Sequence, residues 1–196
     1  IRGNTLGKLK RSFKENVIKS MIEMIDPSFE YHPYQYISSK EFKKSQFIKS
    51  WSSYNGEDHF KGIYKGIGLE FSEIHISQKS DKTNITVFKG PFYIIKTPEP
   101  FLGRTTVVRD YAEKLLGKFG RRLQKLNFTR DKLLHINNHD FERHFAVYSD
   151  NEDEAKAILN PMIISFLIAE QIKAKQVFFG FSGYSIYFGI FNSRNY

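Results

Sequence analysis

From Tyr54 to Lys96 apolar and polar residues alternate in runs bounded by turn residues, which is the period-two signature of strands. "HFKGIYKGIGLEFSEIHISQK" and "ITVFKGPFYIIK" read as two strands, with a turn at Asn55-Gly56 before the first and another over 80–84 between them. Ile67, Leu69 and Phe71 hold one parity and Ile74 and Ile76 the other, which predicts a bulge near Ser72-Glu73. Gly90-Pro91 is expected to break or bend the second strand. A loop around Pro98 and Pro100 then leads to "TTVV", and short strands follow at "KLLHI" and "FAVYS". "QVFFGF" and "YSIYFGIF" are expected to form a terminal hairpin about Ser182-Gly183. Nineteen Phe and eleven Tyr beside one Trp suit a sheet with aromatic packing, and 196 residues can bury a real core.

Helical spacing appears in four places. Leu6, Leu9, Phe13, Val17, Met21 and Ile25 form a stripe that Ile18 and Ile22 widen, and Asp26-Pro27 ends it. Lys8, Lys10, Arg11, Lys14 and Lys19 lie on its polar face, so the helix can dock on the domain or lie on lipid. Ser38 to Glu41 has capping-box spacing and opens a short helix through Gln46. From Tyr111 to Leu126, Ala112, Leu115, Leu116, Phe119, Leu123 and Leu126 form one face, opposite Lys114, Lys118, Arg121, Arg122 and Lys125. The fourth place is "SDNEDEAKAILNPMIISFLIAEQ", read as two abutting helices. Ser149 or Asp150 caps the first, and Glu152, Asp153 and Glu154 sit at the positive end of its dipole. Pro161 stands in the first turn of the second, capped by Asn160. The apolar run Met162 to Ala169 falls far short of the ~20 residues that cross a bilayer, so it is a core helix, expected to be buried on most faces. A single helical turn or two is expected over Asp140 to Phe145. The fold class is α+β, a mainly antiparallel sheet packed with helices plus an N-terminal amphipathic helix. It divides into an arm over 1–26 and one domain over 27–196.

Catalytic and cofactor motifs are largely argued away. No Cys is present, which excludes disulfides, thiolate nucleophiles and cysteine-ligated metals. His135, His139 and His144 have ligand-like spacing, but a strand end and a turn at "NN" place them in loops, and no metal is expected. "GFSGYS" lacks the nucleophile-elbow pattern, so Ser182 reads as a turn residue. Gly62, Gly66 and Gly68 precede no helix that could cradle phosphate, and "GKFGRR" follows no strand. Capping and dipole roles account for Glu152 to Glu154. Lys89-Gly90 with Phe92 and Tyr93 loosely suggests an RNA-recognition strand, but Pro91 is misplaced, and side chains facing a core are the preferred reading. No cofactor is implied.

The order of "VFKGPFYIIK", "PFLGRTTVV", "DYAEKLLGKFGRRLQKLN", "FERHFAVYSDNEDEAKAILNPMI" and "YSIYFGI" resembles the bacterial domain-of-unknown-function family 3137 over Val87 to Phe191, and more weakly from His59. The resemblance implies two hydrophobic segments near the N-terminus, and a chain beginning at Ile1 is expected to be a fragment lacking them. It would make Leu6 to Ile25 a juxtamembrane helix whose lysines fit the cytoplasmic side. It supplies no catalytic residues. The net charge of +9 favours anionic partners. The expected function is therefore a binding or interaction module on the cytoplasmic side of a bacterial inner membrane. Its expected partner is anionic lipid or a membrane protein, met through Lys8, Lys10, Arg11, Lys14, Lys114, Lys118, Arg121, Arg122 and Lys125. A lipid- or phosphoryl-directed enzyme is the second reading and a nucleic-acid-binding module the third.

Overall fold

The computed structural model describes residues 2–48, 50–79, 84–109, 131–173 and 177–191. An N-terminal helix begins as α1 (Arg2–Ser12), widens into a π-helical turn (Phe13–Ile18) and continues as α2 (Lys19–Ile25). After β1 (Glu30–His32) comes α3 (Ser39–Lys44), capped as its sequence predicts: the Ser38 hydroxyl accepts from the Glu41 N–H at 3.2 Å. Three long strands follow, β2 (Ser53–Tyr64), β3 (Ile67–Lys79) and β4 (Asn84–Arg109). The remainder is β5 (Lys132–Leu134), α4 (His139–Glu142), β6 (Phe145–Ser149), α5 (Glu152–Ile158), α6 (Pro161–Lys173) and β7 (Val177–Ile190).

All strand pairs are antiparallel. The sheet runs β1-β2-β3-β4-β6-β5, and β7 pairs along β4. Strand β4 organises the whole. Its first half pairs β3, its end pairs β6, and β7 lies against it from Phe92 to Val108. The chain therefore passes through Gly90-Pro91 and through Pro98 and Pro100 within one strand, where a break or bend and then a loop were expected.

Other expectations shift in a similar way. Asn55 and Gly56 lie inside β2, and the turn comes at Lys65-Gly66, whose φ values of 50° and 82° suit a two-residue hairpin loop. Gly56 is needed there for space, since a Cβ would lie 2.5 Å from the Glu73 carbonyl oxygen. The bulge expected near Ser72-Glu73 sits across from them in β2, where the register shifts between Glu57 and Phe60. Apolar residues occur on both faces of β3 because Ile74 and Ile76 are buried on one, whereas Phe71 stacks between Phe60 and Tyr93 on the other. The expected terminal hairpin is one strand: β7 bends at Gly183 (φ 53°), opposite Phe101, and continues. The positions that face the α5–α6 cluster change parity there, from buried Phe179 and Phe181 to partly buried Ile186 and Phe188, while Tyr187 joins the other cluster.

Two clusters of buried side chains form the core. Ile37, Phe42 and Phe47 from the α3 region cover Ile74, Ile76, Phe88, Phe92 and Ile94 on one face of β3 and β4. Helices α5 and α6 contribute Ala155, Leu159, Ile164 and Leu167 against Val107, Phe145, Val147 and Phe179. A ladder of rings, Tyr31, Phe60, Phe71, Tyr93, Phe188 and Phe179, crosses five strands with centroid spacings of 4.6, 4.3, 5.2, 5.4 and 4.7 Å. Each such pair adds ~0.5–1.5 kcal/mol beyond burial, which explains the aromatic excess.

Helices α5 and α6 are separate, as the proline predicts. The Leu159 N–H closes α5 onto Ala155, and the Asn160 side-chain oxygen accepts from the Met162 and Ile163 N–H groups at 3.0 and 3.2 Å. The cap of α5 is Asn151, however, not Ser149 or Asp150. Burial of α6 is also narrower than expected: Ile164 and Leu167 face the core, whereas Met162 and Phe166 are exposed.

Candidate functional site

Among the described elements, the N-terminal helix turns the largest set of apolar side chains away from the core. Its π turn is closed by the Lys19 N–H donating to the Lys14 carbonyl, five residues back. This wider turn aligns Lys14 with Ile18 and Ile22 as the covered side, Lys14 buried and the two isoleucines half-buried. Ile18 and Ile22 thus leave the apolar stripe they were expected to widen. Leu6, Leu9, Phe13, Val17, Met21, Met24 and Ile25 all stay exposed, from 41% at Val17 to 79% at Met24. The helix docks on the domain through its polar side and turns its apolar stripe outward.

Strand β2 provides the anchor. At the bulge Asp58 adopts φ 59°, and its N–H donates to the Pro33 carbonyl at 3.1 Å. This places two successive carboxylates beside the helix. The Lys14 ammonium donates to Glu57 Oε2 at 2.6 Å and Asp58 Oδ2 at 2.8 Å, and the Tyr31 hydroxyl donates to the other oxygen of Asp58. Lys10 reaches Glu57 Oε1 at 3.4 Å, and Arg11 lies 5.5 Å over the Tyr34 ring. Burial opposes the charge on Lys14, but hydrogen bonds to Asp58 and Glu57 outweigh it and raise its pKa. The same bond from Lys14 holds the Glu57 carboxyl below its ordinary value against its own burial. Burial and the Asp58 bond push the Tyr31 phenol up, and partial burial with Asp58 and Glu57 nearby raises Glu73.

These contacts revise the expected set of surface cations. Lys14 is consumed inside the protein. Lys8, Lys10 and Arg11 are exposed along the arm, with Lys10 shared with Glu57. Lys114, Lys118, Arg121, Arg122 and Lys125 lie outside the described residues. Periodicity alone could not single out Lys14, because a π turn leaves no compositional mark. Sequence reasoning also missed the tip of the β2–β3 hairpin, where Ile63, Tyr64 and Ile67 are exposed. Its signal was the Lys65-Gly66 turn flanked by apolar residues.

The other candidates find structural employment. Phe92 is fully buried, 4.7 Å from Phe42 between ring centroids, and Tyr93 stacks between Phe71 and Phe188. His139 opens α4, His144 follows it, and exposed His135 lies 3.7 Å from Glu142. No group of three or more potential metal ligands gathers among the described residues. The acids before and within α5 do more than cap it. Glu154 accepts from the Leu102 and Gly103 N–H groups, both at 2.7 Å, and Asp150 accepts from the Arg104 N–H at 2.6 Å, stitching α5 to the bend in β4. Among the described residues no helix is long and apolar enough to cross a membrane.

Comparisons with known proteins bear on fold and family. Residues 86–196, more than half of the chain, match the family described as protein of unknown function (DUF3137). Comparison with curated proteins gives no significant match. Among solved structures, the crystal structure of the mycobacterial trehalose monomycolate transport factor A, TtfA, is similar, with a TM-score of 0.53. The two are 11% identical over 94% of this chain and 85% of that one, a likeness of fold.

Proposed function

This chain belongs to the DUF3137 family of proteins of unknown function, and from that premise we propose that it is a binding module held at an anionic membrane surface by its N-terminal arm. The outward apolar stripe from Leu6 to Ile25 carries the reading. A water-facing stripe of seven large apolar residues is costly unless something covers it. A helix with cations beside such a stripe is built to lie in a lipid interface. The cytoplasmic face of a bacterial inner membrane, with its anionic lipid, fits the exposed Lys8, Lys10 and Arg11. A fold shared with a trehalose monomycolate transport factor is compatible with work beside a membrane. A membrane-protein partner at the same surface is the neighbouring form of this proposal.

Magnitudes rank the two forces. Each apolar side chain contributes up to about 1.5–3 kcal/mol on full burial, and each Lys or Arg near an anionic surface about 1 kcal/mol. The stripe outweighs the arm's exposed cations Lys8, Lys10, Arg11 and Lys19. Co-sedimentation should therefore show binding to anionic vesicles, weaker binding to neutral ones, and partial release in high salt. The double variant Leu9→Glu, Met21→Glu should abolish binding without unfolding the domain, since both side chains are exposed. Undiminished binding by that variant would refute the arm as the contact.

A further inference from the structure

We propose that the tip of the β2–β3 hairpin, Ile63 to Ile67, is a second insertion point into the same anionic bilayer, a proposal that rests on the arm reading above. The tip overhangs the sheet. β1 pairs β2 only as far as Lys61, and β4 pairs β3 only as far as Leu69, while Ile63↔Gly68 and Tyr64↔Ile67 pair with each other beyond both. Ile63, Tyr64 and Ile67 are consequently 59%, 52% and 47% exposed. Positive φ at both Lys65 and Gly66 makes the loop as tight as a hairpin permits, so the tip is presented in one shape.

Position ties it to the arm. Ser28, three residues after the last residue of α2, donates its hydroxyl to the Ile63 carbonyl at 2.8 Å. Phe29 lies so close over Gly62 that a Cβ there would stand 2.7 Å from its ring. The exposed Met24 and Ile25 thus come shortly before the Ser28-Phe29 segment that is held against the end of the hairpin, and on this proposal both apolar surfaces meet the same bilayer.

Chemistry selects lipid as the occupant. From Lys61 to Leu69 the segment contains no acid, while Lys61 and Lys65 lie within it and the Lys96 stem packs beside Gly68. Asp26 is turned to the Ser28 N–H, and Glu70 lies 3.6 Å from His59. The Lys65 ammonium stands 5.3 Å over the Tyr64 ring. Tyrosine and lysine are residues that settle at the water–lipid boundary, ring or stem toward the acyl chains and polar end toward head groups. Isoleucines on either side of them supply the part that enters.

The absence of Cys makes the test direct, because one introduced thiol is unique. Ile67→Cys, labelled with an environment-sensitive nitrobenzoxadiazole dye, is mixed with vesicles of phosphatidylglycerol and phosphatidylethanolamine in equal parts. The dye's emission should brighten and shift to the blue, and nitroxide-labelled lipid should quench it. Separately, Ile63→Ser with Ile67→Ser should weaken co-sedimentation on the order of tenfold or more. An unchanged circular dichroism spectrum would show that this double variant is folded. If the dye stays in water while the arm still binds, the tip proposal falls and the arm reading stands. If neither the chain nor the dye responds to vesicles, both fall. A blue shift only with vesicles that carry bacterial membrane proteins would assign the tip to a protein partner and overturn the lipid proposal.

Discussion

Lys14 is the residue on which the arm turns. Its ammonium is almost wholly covered, with 7% of its side chain exposed, while Glu57 and Asp58 keep 45% and 21%. Removing one partner of a fully buried pair costs ~3–5 kcal/mol, but carboxylates this exposed can be rehydrated. Lys14→Met should therefore destabilise by about 1–3 kcal/mol in denaturant titration and release the arm to protease first. The pH dependence has a definite sign. Glu57 is held below its ordinary value, so its contribution is present above about pH 4.3 and is lost as acid protonates it. Lys14 is raised, so its contribution is complete below about pH 10.4 and is lost in stronger base. The protection of amides in α1 and α2, taken relative to their intrinsic exchange rate at each pH, should be highest between those limits and fall below about pH 4, and in Lys14→Met the acid response should flatten. An arm equally protected at all pH values would mean that this pair does not hold it. Sequence pattern placed Lys14 among solvent-facing cations because every lysine of an amphipathic helix looks alike. Only the π turn and the bulge at Asp58, neither of which has a compositional signature, bring the three charges together.

At the scale of elements, local chemistry was legible where one residue type forces one geometry. Ser38 and Asn160 cap as their positions require, and Pro161 opens a helix because it lacks the N–H that an interior position needs. Long-range partners were not legible. Gly90-Pro91 reads as a break or bend, the Pro98 region as a loop and Ser182-Gly183 as a hairpin turn. Yet β4 runs through the first because it pairs β3 there, and β4 and β7 run through the others because they pair with each other on both sides of an irregular stretch. Pairing between strands so far apart in sequence overrides what the turn residues prefer alone. The acids of α5 were likewise read as dipole partners, and their second role emerges only when β4 bends toward them. Helix α6 tests the distinction between the two core faces and the surface. Leu167→Ala, at 1% exposure, should cost ~2–5 kcal/mol, whereas Phe166→Ala, one residue away and 54% exposed, should change stability little. Similar losses at both positions by denaturant titration would mean that the outer side of α6 is covered.

For the whole molecule, the question is whether two separate sets of cations act on one surface. The arm contributes Lys8, Lys10 and Arg11 beside its stripe. The second set, Lys114, Lys118, Arg121, Arg122 and Lys125, was proposed from helical spacing and lies outside the described residues. Attraction to head groups fades over a Debye length of about 8 Å at physiological salt, so only cations on the arm's side of the protein can add to its binding. Reversing Lys118, Arg121 and Arg122 to Glu therefore tests placement as well as charge. If they share the arm's side, each loses ~1 kcal/mol of attraction and gains comparable repulsion. Affinity for anionic vesicles should then fall by orders of magnitude, while affinity for neutral vesicles stays as it was. If they lie elsewhere, the variant should bind anionic vesicles almost as the wild type does, because the apolar stripe and the arm's own cations are untouched. Such a result would remove the second set from the membrane contact and leave it as a solvated face. Combining the triple reversal with Leu9→Glu separates the remaining possibilities, since independent contributions multiply in affinity and a shared footprint does not.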